Sequence, residues 1–352
     1  MKEYKVKVYK NLDENLVRMW KGLWLRSKSA NFFNSYEFCA ACMKTYSDDN
    51  YEIFCLEKEE EAVAILPLVK SRVFGFTCYV NPGGRFVEKS PILVKDASID
   101  NLKYLLDFIV NRDNLRLSEL PEDIAKYLNT SFKKSLVSII SINPFIDLKQ
   151  EKYFGLNKKT LSKLENRFRK NKDSLEYLHI TKGGEKELNS VIDLEKRSTK
   201  STMGKGIFGV TSSRLFFRNL IKICNNRIVF DYLTFNKKIF VSAVGVIFKD
   251  TYYAYHTSYL RDYKYFVPGK MITYFMLSQL KSEGVKLFDF TRGYSDFKKE
   301  FTENFSLQYD FYLSKSNFIN LWWKLINLAR RVKIVLFKTK YYHDHFYLFK
   351  TV

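Results

Sequence analysis

The stretch 228–259, IVFDYLTFNKKIFVSAVGVIFKDTYYAYHTSY, decides the fold of this chain. It contains three runs that are rich in β-branched and aromatic residues, the composition typical of strands. The polar pairs Asn236-Lys237 and Lys249-Asp250 separate the runs and suit two-residue hairpin turns. We therefore predict three consecutive antiparallel strands.

The segments on either side of these strands alternate between extended and helical patterns. Before them, LEYLHIT (175–181) predicts a strand, and two helices are predicted over 185–200 and 212–224. After them, the loop RDYKYFVPGK leads into a predicted helix over 270–283, ended by Gly284, and then into the strand KLFDF. The second half thus has the order β, α, α, β, β, β, α, β, a distinctive α+β arrangement.

The first half has a similar mixture of strands and helices. Apolar strands are predicted over 51–57 and 62–69, with Pro67 near the end of the second because proline cannot donate to a ladder. A helix over 101–111 and the strand LRLSEL follow. This alternation indicates an α/β or α+β half-domain.

The composition excludes a disordered chain, and the charge is unevenly distributed. Of the 352 residues 46% are hydrophobic and 17% aromatic. Residues 1–150 carry 22 Lys and Arg against 20 Asp and Glu, whereas residues 151–352 carry 37 against 18. The basic half predicts an anionic partner: a phosphorylated cofactor, an anionic lipid face, a sugar nucleotide or RNA. A solvated basic surface remains the alternative.

The cysteines and the N-terminal residues indicate a reducing compartment. There are five cysteines, an odd number, and the start MKEYKVKVYK has no apolar run of the signal-peptide kind. We expect a cytoplasmic protein with no membrane-spanning segment. Cys39 and Cys42 form a C-x-x-C pair within a helical pattern, and with no second Cys or His pair beside them we predict no metal site.

Several local sequences, in this order, resemble the GNAT acyltransferase superfamily, in particular its two-domain CelD-like branch, which is related to the Fem-type aminoacyltransferases. The carrying segments are FFNSYEF, AILPLV, LSKLENRFRKNK, the residues 194–197 and 206–208, Pro268-Gly269, and FDFTRGYSDFKKEF (288–301). The resemblance implies an α/β (α+β) fold of two GNAT-like domains, each a mixed, mostly antiparallel sheet flanked by helices.

The same resemblance implies four regions of the chain. Residues 1–150 form a degenerate GNAT-like N-terminal domain, and 151–173 a basic linker helix. Residues 174–313 form the catalytic GNAT-like domain, and 314–352 a basic amphipathic C-terminal helix with a tail. Within the linker, residues 152–172 contain eight Lys and Arg and one Glu.

A predicted donor site lies at Pro268, Gly269 and Lys270, where a loop becomes a helix. Free backbone N–H groups and the positive end of a helix hold a pyrophosphate well, and Gly269 permits close approach. The resemblance implies acetyl-coenzyme A or another acyl-coenzyme A as donor substrate, without a metal. A proline-initiated helix with a purely structural role remains the alternative.

The predicted catalytic residues lie on two strands. If alternation holds, His256 shares one strand face with Tyr252, Ala254 and Ser258, and it is either a general base or substrate ligand or an ordinary hydrogen-bonded histidine. Asp289 is a carboxylate between two phenylalanines and must be paired.

The residues next to Asp289 complete the predicted site. Arg292 and Lys298 are the candidate partners of Asp289, and the resemblance places this segment beside the acceptor pocket. Arg292 is thus grouped with the catalytic residues. Tyr263 and Lys298 are predicted substrate contacts. A salt bridge that fixes the strand end is the structural alternative for Asp289.

The C-terminal segment has an apolar stripe at helical spacing, formed by Phe318, Leu321, Trp322, Leu325, Leu328 and Ala329. Residues 314–352 contain eight Lys and Arg and one Asp. Either the helix lies peripherally on an anionic membrane, at its inner face, or its stripe docks on the protein's own core.

Three functions compete. The first is transfer of an acyl group from acyl-coenzyme A to an amino group of an amino sugar or cell-envelope polysaccharide precursor. The second is a Fem-like transferase that uses aminoacyl-tRNA, the one case in which we expect a nucleic-acid partner. The third is a non-catalytic membrane or nucleic-acid binder, which predicts steeply salt-dependent binding.

Overall fold

The computed structural model describes residues 4–46, 50–95, 99–149, 154–204 and 206–337. The chain forms two compact units: Met1–Ile142 with Ser306–Val352, called unit 1, and Asn143–Phe305, called unit 2. These limits differ from the predicted 150/151 and 313/314 boundaries. The basic helix belongs to unit 2, and the strand that follows residue 305 belongs to unit 1, where it pairs with a strand almost two hundred residues earlier.

Unit 1 contains helices and strands in the mixed pattern that the first half of the sequence predicts. Its elements are β1 (Tyr4–Tyr9), α1 (Glu14–Arg26), α2 (Tyr36–Thr45), β2 (Tyr51–Lys58), β3 (Glu61–Val73), β4 (Phe76–Val80), β5 (Leu93–Val94), α3 (Ile99–Val110), β6 (Asn114–Pro121), α4 (Glu122–Ser131) and the start of β7 (Leu136–Asp147), then β13 (Phe305–Leu313) and α11 (Asn317–Phe337). The strand order is β1-β2-β3-β4-β6-β13, with β5 beside β3. Only β4 and β6 pair in parallel among these described strands.

Pro67 lies in the middle of β3 rather than near its end, so this expectation was wrong. It is opposite Ile53 on β2. The other edge of β3 pairs with β5 at Ala64 and Ile65 and with β4 from Val69 onward. Pro67 therefore falls between those two pairings. No strand pairs with it on that side, so the lack of an N–H costs no hydrogen bond of the sheet there.

Unit 2 has the predicted order of elements. They are the end of β7, α5 (Lys158–Lys170), β8 (Leu175–Thr181), α6 (Glu185–Arg197), α7 (Thr199–Thr202), α8 (Thr211–Cys224), β9 (Ile228–Phe235), β10 (Lys238–Phe248), β11 (Thr251–Tyr259), α9 (Pro268–Ser282), β12 (Leu287–Asp289) and α10 (Asp296–Lys299). The sheet order is β7-β12-β11-β10-β9-β8, and only β11 and β12 are parallel among these described strands. The predicted mixed, mostly antiparallel sheets flanked by helices are confirmed.

Helices cover both faces of the unit 2 sheet. Leu233 on β9 packs in a core cluster with Met271 and Met276 of α9 and Leu164 of α5. Its neighbour Tyr232 donates from Oη to the backbone of α6 at 2.9 Å. Successive strand residues point to opposite faces, so α9 and α6 lie on opposite sides of the sheet. In neither unit is any described helix long and apolar enough to cross a bilayer.

A buried polar cluster lies on the α9 face of this sheet. Nδ1 of His179 lies 2.7 Å from Oδ1 of Asp231, the residue opposite it on β9. The hydroxyl of Tyr177 donates to the same oxygen at 2.6 Å, and Nε2 of His179 lies 3.2 Å from a carboxylate oxygen of Glu283. Burial opposes the charged imidazolium, but Asp231 and Glu283 outweigh it and raise the pKa of His179.

We predict that His179→Gln destabilises the protein by about 3 kcal/mol in acid and by less in alkali, because it leaves Asp231 without its charged partner. Because folding raises the pKa of His179, the charged imidazolium stabilises the folded state. This contribution is fully present below the unfolded pKa of about 6.5, and it is lost as the pH rises through the folded-state pKa. Urea denaturation of both proteins from pH 5.5 to 9 measures the difference. A destabilisation independent of pH would contradict the charged pair.

Candidate functional site

The middle of β11 contains a β-bulge. On the facing strand β10, Val244 is opposite His256 and Gly245 is opposite Ala254, which leaves Tyr255 as an extra residue. A bulge of this kind bends a strand and re-aims its side chains, and bulges are common next to active sites. The alternation of β11 side chains between the two faces of the sheet is therefore interrupted at Tyr255.

The bulge overturns the predicted shared face. Tyr252 and Ala254 pack into the core cluster beneath α9. His256 and Ser258 point to the other side of the sheet, where Nε2 of His256 lies 2.6 Å from Oγ of Ser258 and contacts Glu195 of α6. One extra residue moves the rest of a strand to the opposite face, because the side-chain period is two.

Beside the bulge, the parallel strands β11 and β12 separate. They pair only over Thr251–Tyr253 and Leu287–Asp289, whereas β11 continues to Tyr259. At the point of separation the hydroxyl of Thr291 donates to the backbone oxygen of Ala254 at 3.0 Å. Beyond Ala254 this edge of β11 has no partner strand among the described residues, so its backbone groups can hydrogen-bond an extended ligand.

His256 and Glu195 form a buried pair at the other face of the bulge. Nε2 of His256 lies 2.5 Å from Oε2 of Glu195, and both side chains are almost fully buried. The carboxylate also accepts from the backbone N–H of Phe208 at 2.7 Å and of Ile207 at 3.2 Å. The Phe208 ring meets the His256 ring edge to face at 5.4 Å. The pair is thus held by α6, β11 and the loop before α8.

Glu195 was not among the predicted site residues, yet the sequence contains a signal for it. It continues the apolar stripe of α6 after Leu188, Val191 and Ile192, so an acid occupies a core position of an amphipathic helix. Gly206 gives a second signal, since a Cβ there would lie 2.8 Å from Oε1 of Glu195. The absent side chain makes room for the carboxylate.

The electrostatics of the pair favour a neutral imidazole beside an ionised carboxylate. Burial lowers the pKa of His256, helped by the positive charge of Lys200 and opposed by Glu195. Burial disfavours the charged form of Glu195, but hydrogen bonds from His256, Phe208 and Ile207 outweigh this and hold its pKa below the usual value. A neutral His256 that donates from Nε2 to Glu195 keeps Nδ1 as an acceptor.

Lys200, which was also absent from the predicted site, interacts electrostatically with both members of this pair. It lies on α7, directly after the helix that carries Glu195. Burial lowers its pKa, and Glu195 opposes that shift. It adds to the cost of protonating His256.

The predicted donor site is at the start of α9, which begins at Pro268 rather than at 270. The preceding Val267 is left-handed (φ 49°, ψ 59°), and its carbonyl accepts from the N–H groups of Lys270 and Met271. Within the described first turn, Gly269 is the residue whose N–H has no backbone acceptor. The site therefore offers few free donors, although the helix end remains positive.

Neighbouring side chains already contact this helix end. The Lys270 ammonium forms an ion pair with Glu300. The ring of Phe297 lies 3.4 Å from where a Cβ of Gly269 would be, and the ring of Tyr259 lies 3.9 Å from it. A phosphate at this position must compete with a carboxylate and lie beside two aromatic rings.

Of the remaining predicted residues, Asp289 and Lys298 are held within the protein. Asp289 is buried, and its Oδ1 accepts from the N–H of Thr291 at 2.7 Å. The ammonium of Lys298 donates to the backbone oxygens of Phe290, Thr291 and Arg292 at 2.8–3.2 Å. Lys298 therefore fixes the turn after β12, and its contact with substrate stays a prediction.

Tyr263 and Arg292 differ in how far they are engaged. The Tyr263 ring stacks on Phe240 with centroids 4.6 Å apart, so one ring face is used in packing. Arg292 is half-buried in the turn that Lys298 holds. The structure thus places Asp289 and Arg292 on the segment where β11 and β12 separate, and His256 on the face of the sheet opposite α9. Their catalytic and binding roles stay predictions.

Residues 157–299 match the family model of the acetyltransferase (GNAT) domain. The structure of FemX is similar to this chain with a TM-score of 0.63 and 10% identity, over 86% of this chain and 96% of that one. A conserved protein of unknown function from Bacteroides thetaiotaomicron gives 0.58 and 14%, over 88% and 100%. L-PGS from Bacillus licheniformis gives 0.56 and 9%, over 86% and 93%. No curated protein matches the chain by sequence.

Residues 157–299 therefore form a GNAT acetyltransferase domain, and the fold of the chain is similar to that of FemX. This confirms the resemblance on which the sequence prediction rested. At such low identities the structural likeness concerns the fold alone.

We predict that Gly206→Ala lowers the free energy of unfolding by about 1–3 kcal/mol, because its Cβ displaces a carboxylate that hydrogen bonds hold in place. Gly209→Ala in the same loop is the matched control: no atom lies within 4 Å of its Cβ, and we expect a change below about 1 kcal/mol. Urea denaturation compares the two variants. Equal effects would mean that Gly206 does not accommodate Glu195.

Proposed function

We propose that this protein is an N-acyltransferase that moves an acyl group from acyl-coenzyme A to an amino group, on an amino sugar or a cell-envelope polysaccharide precursor. The observation that carries the proposal is the separation of β11 and β12 beside the buried His256–Glu195 pair, within a GNAT domain. We place the protein in the cytoplasm, where acyl-coenzyme A and sugar nucleotides are made.

The mechanism proposed is direct attack of the amine on the thioester. The free edge of β11 after Ala254 aligns the acyl group, and its backbone N–H groups polarise the carbonyl oxygen as the tetrahedral intermediate forms. His256 accepts the ammonium proton, and Glu195 stabilises the imidazolium that results. The intermediate collapses with cleavage of the carbon–sulfur bond, and the second proton of the amine passes to the leaving thiolate, which gives the amide and coenzyme A thiol. His256 returns the proton that it accepted to water. No covalent enzyme intermediate is required.

The charge of the second half supports substrates that carry phosphate. Residues 151–352 have 37 Lys and Arg against 18 Asp and Glu, and the start of α9 adds a helix dipole. A coenzyme A pyrophosphate and a sugar-nucleotide acceptor both fit this field. The half-buried Lys200 next to Glu195 supports an anionic group on the acceptor.

A Fem-like aminoacyl-tRNA-dependent transferase is the second candidate. It is supported by the small number of free donors at the start of α9 and by the Lys270–Glu300 pair, which together leave less room for a pyrophosphate than a glycine-rich loop does. The strong positive charge also suits RNA.

We expect acetyl-coenzyme A to bind the unmodified protein, and Lys270→Glu to weaken binding at least about tenfold, because two acids would then face the pyrophosphate. Lys286→Glu is the matched control, since Lys286 is also an ion-paired lysine of unit 2, joined to Asp250 at 2.6 Å. Calorimetric titration measures both.

No binding of acetyl-coenzyme A or longer acyl-coenzyme A by the unmodified protein, at low and moderate salt, would overturn the donor proposed here. Filter binding of aminoacyl-tRNA then tests the Fem-like candidate. Equal weakening by Lys270→Glu and Lys286→Glu would mean that the donor binds through general charge rather than at the start of α9.

We expect the acid limb of kcat/KM to lie below pH 6.5, because the pKa of His256 is lowered. Glu195→Gln removes the charge that raises this pKa, so the limb moves to lower pH and kcat falls by about 100-fold. Asp193→Asn, an exposed acid on the same helix, is the control.

This experiment follows the release of coenzyme A thiol from pH 5 to 9 with amino-sugar acceptors. A limb that stays in place in Glu195→Gln, or activity that survives His256→Gln, would assign the proton to another group. Urea denaturation of each variant separates loss of chemistry from loss of folding.

A further inference from the structure

The two faces of α11 have different surroundings in unit 1. Trp323 is fully buried and packs on Tyr312, with ring centroids 5.3 Å apart. Asn320 is also buried, and its side chain exchanges hydrogen bonds with the backbone of Ser314 at 2.7 and 3.0 Å. These two buried residues fix the helix to the protein.

The predicted apolar stripe lies on the other face, exposed. Five large apolar residues on it are between 42% and 66% accessible: Phe318, Leu321, Trp322, Leu325 and Leu328. Their spacing of three and four residues makes them one continuous strip about 15 Å long. The expectation that this stripe docks on the protein's own core is wrong, because Trp323 and Asn320 occupy that role.

The positive charge around this strip indicates what kind of partner it binds. Lys315 and Lys324, next to it, are exposed, and residues 314–352 contain eight Lys and Arg against one Asp. Two copies of this chain meeting here would bring like charges together. A nucleic acid offers the phosphates but no apolar phase for leucine side chains. An anionic bilayer surface offers both.

We propose that the exposed face of α11 is a membrane-docking surface for anionic phospholipid. The helix lies parallel to the bilayer, with Leu321, Leu325 and Leu328 among the upper acyl chains and Trp322 at the level of the headgroups. No described helix is long and apolar enough to cross the membrane. The inference stands on unit 1 and is independent of the donor and acceptor proposed above.

The experiment measures co-sedimentation of the full chain with vesicles. The vesicles are phosphatidylcholine alone or an equal mixture with phosphatidylglycerol, at 50 and 500 mM salt. We expect binding to the mixed vesicles, weakened at high salt, and at least tenfold weaker binding to phosphatidylcholine alone.

Leu325→Glu is the test variant and Leu25→Glu the matched control. Leu25 is 72% exposed on α1 of the same unit, so both variants change the net charge equally at an exposed leucine. We expect Leu325→Glu to weaken binding to mixed vesicles at least tenfold and Leu25→Glu less than threefold. Equal thermal melts of both variants show that folding is intact.

Three results would overturn the proposal: no binding of the unmodified chain to mixed vesicles, equal binding of the two variants, or binding insensitive to salt and lipid charge. Sedimentation velocity without lipid adds a fourth. A dimer that Leu325→Glu abolishes would assign this face to a second copy of the chain.

Discussion

The contact between Glu195 and His256 connects the helical layer of unit 2 to the sheet at the point where β11 is irregular. Both groups are withdrawn from water, which costs free energy that must be offset locally. The carboxylate obtains its partners from His256 and from two backbone N–H groups of the loop before α8. That loop approaches closely only because position 206 has no side chain. Breaking the pair would therefore disturb helix, strand and loop together.

The bulge at Tyr255 determines which environment His256 meets. With regular alternation the imidazole would enter the apolar core beneath α9, where Tyr252 and Ala254 lie. The extra residue turns it toward Glu195 instead, and the same region of β11 then diverges from β12. A single irregularity thus places the candidate base on one face and frees a backbone edge beside it. Both are used in the transfer to an amine that we propose.

Unit 2 holds two buried histidines whose pKa values move in opposite directions. His256 has one carboxylate and the charge of Lys200 nearby, and burial lowers its pKa. His179 has Asp231 and Glu283, and two acids raise its pKa despite burial. The lowered pKa of His256 favours the neutral imidazole, as the proposed base requires, whereas the raised pKa of His179 favours the imidazolium that pairs with acids on β9 and at the end of α9. The charged groups around each histidine therefore decide the direction of its pKa shift.

The sequence by itself determined the order of elements in unit 2, the three-strand run and the helix that starts near Pro268, because turn chemistry and side-chain period act within a few residues. It also pointed to His256 and Asp289 as polar residues on apolar strands. Only the tertiary structure decided that His256 faces Glu195, since that depends on a one-residue shift against β10. It likewise decided that Phe305–Leu313 pairs with β6 in unit 1, and that α11 buries Trp323 and exposes its leucines. Pairings between residues far apart in the chain depend on what is already packed there, and no local pattern records it.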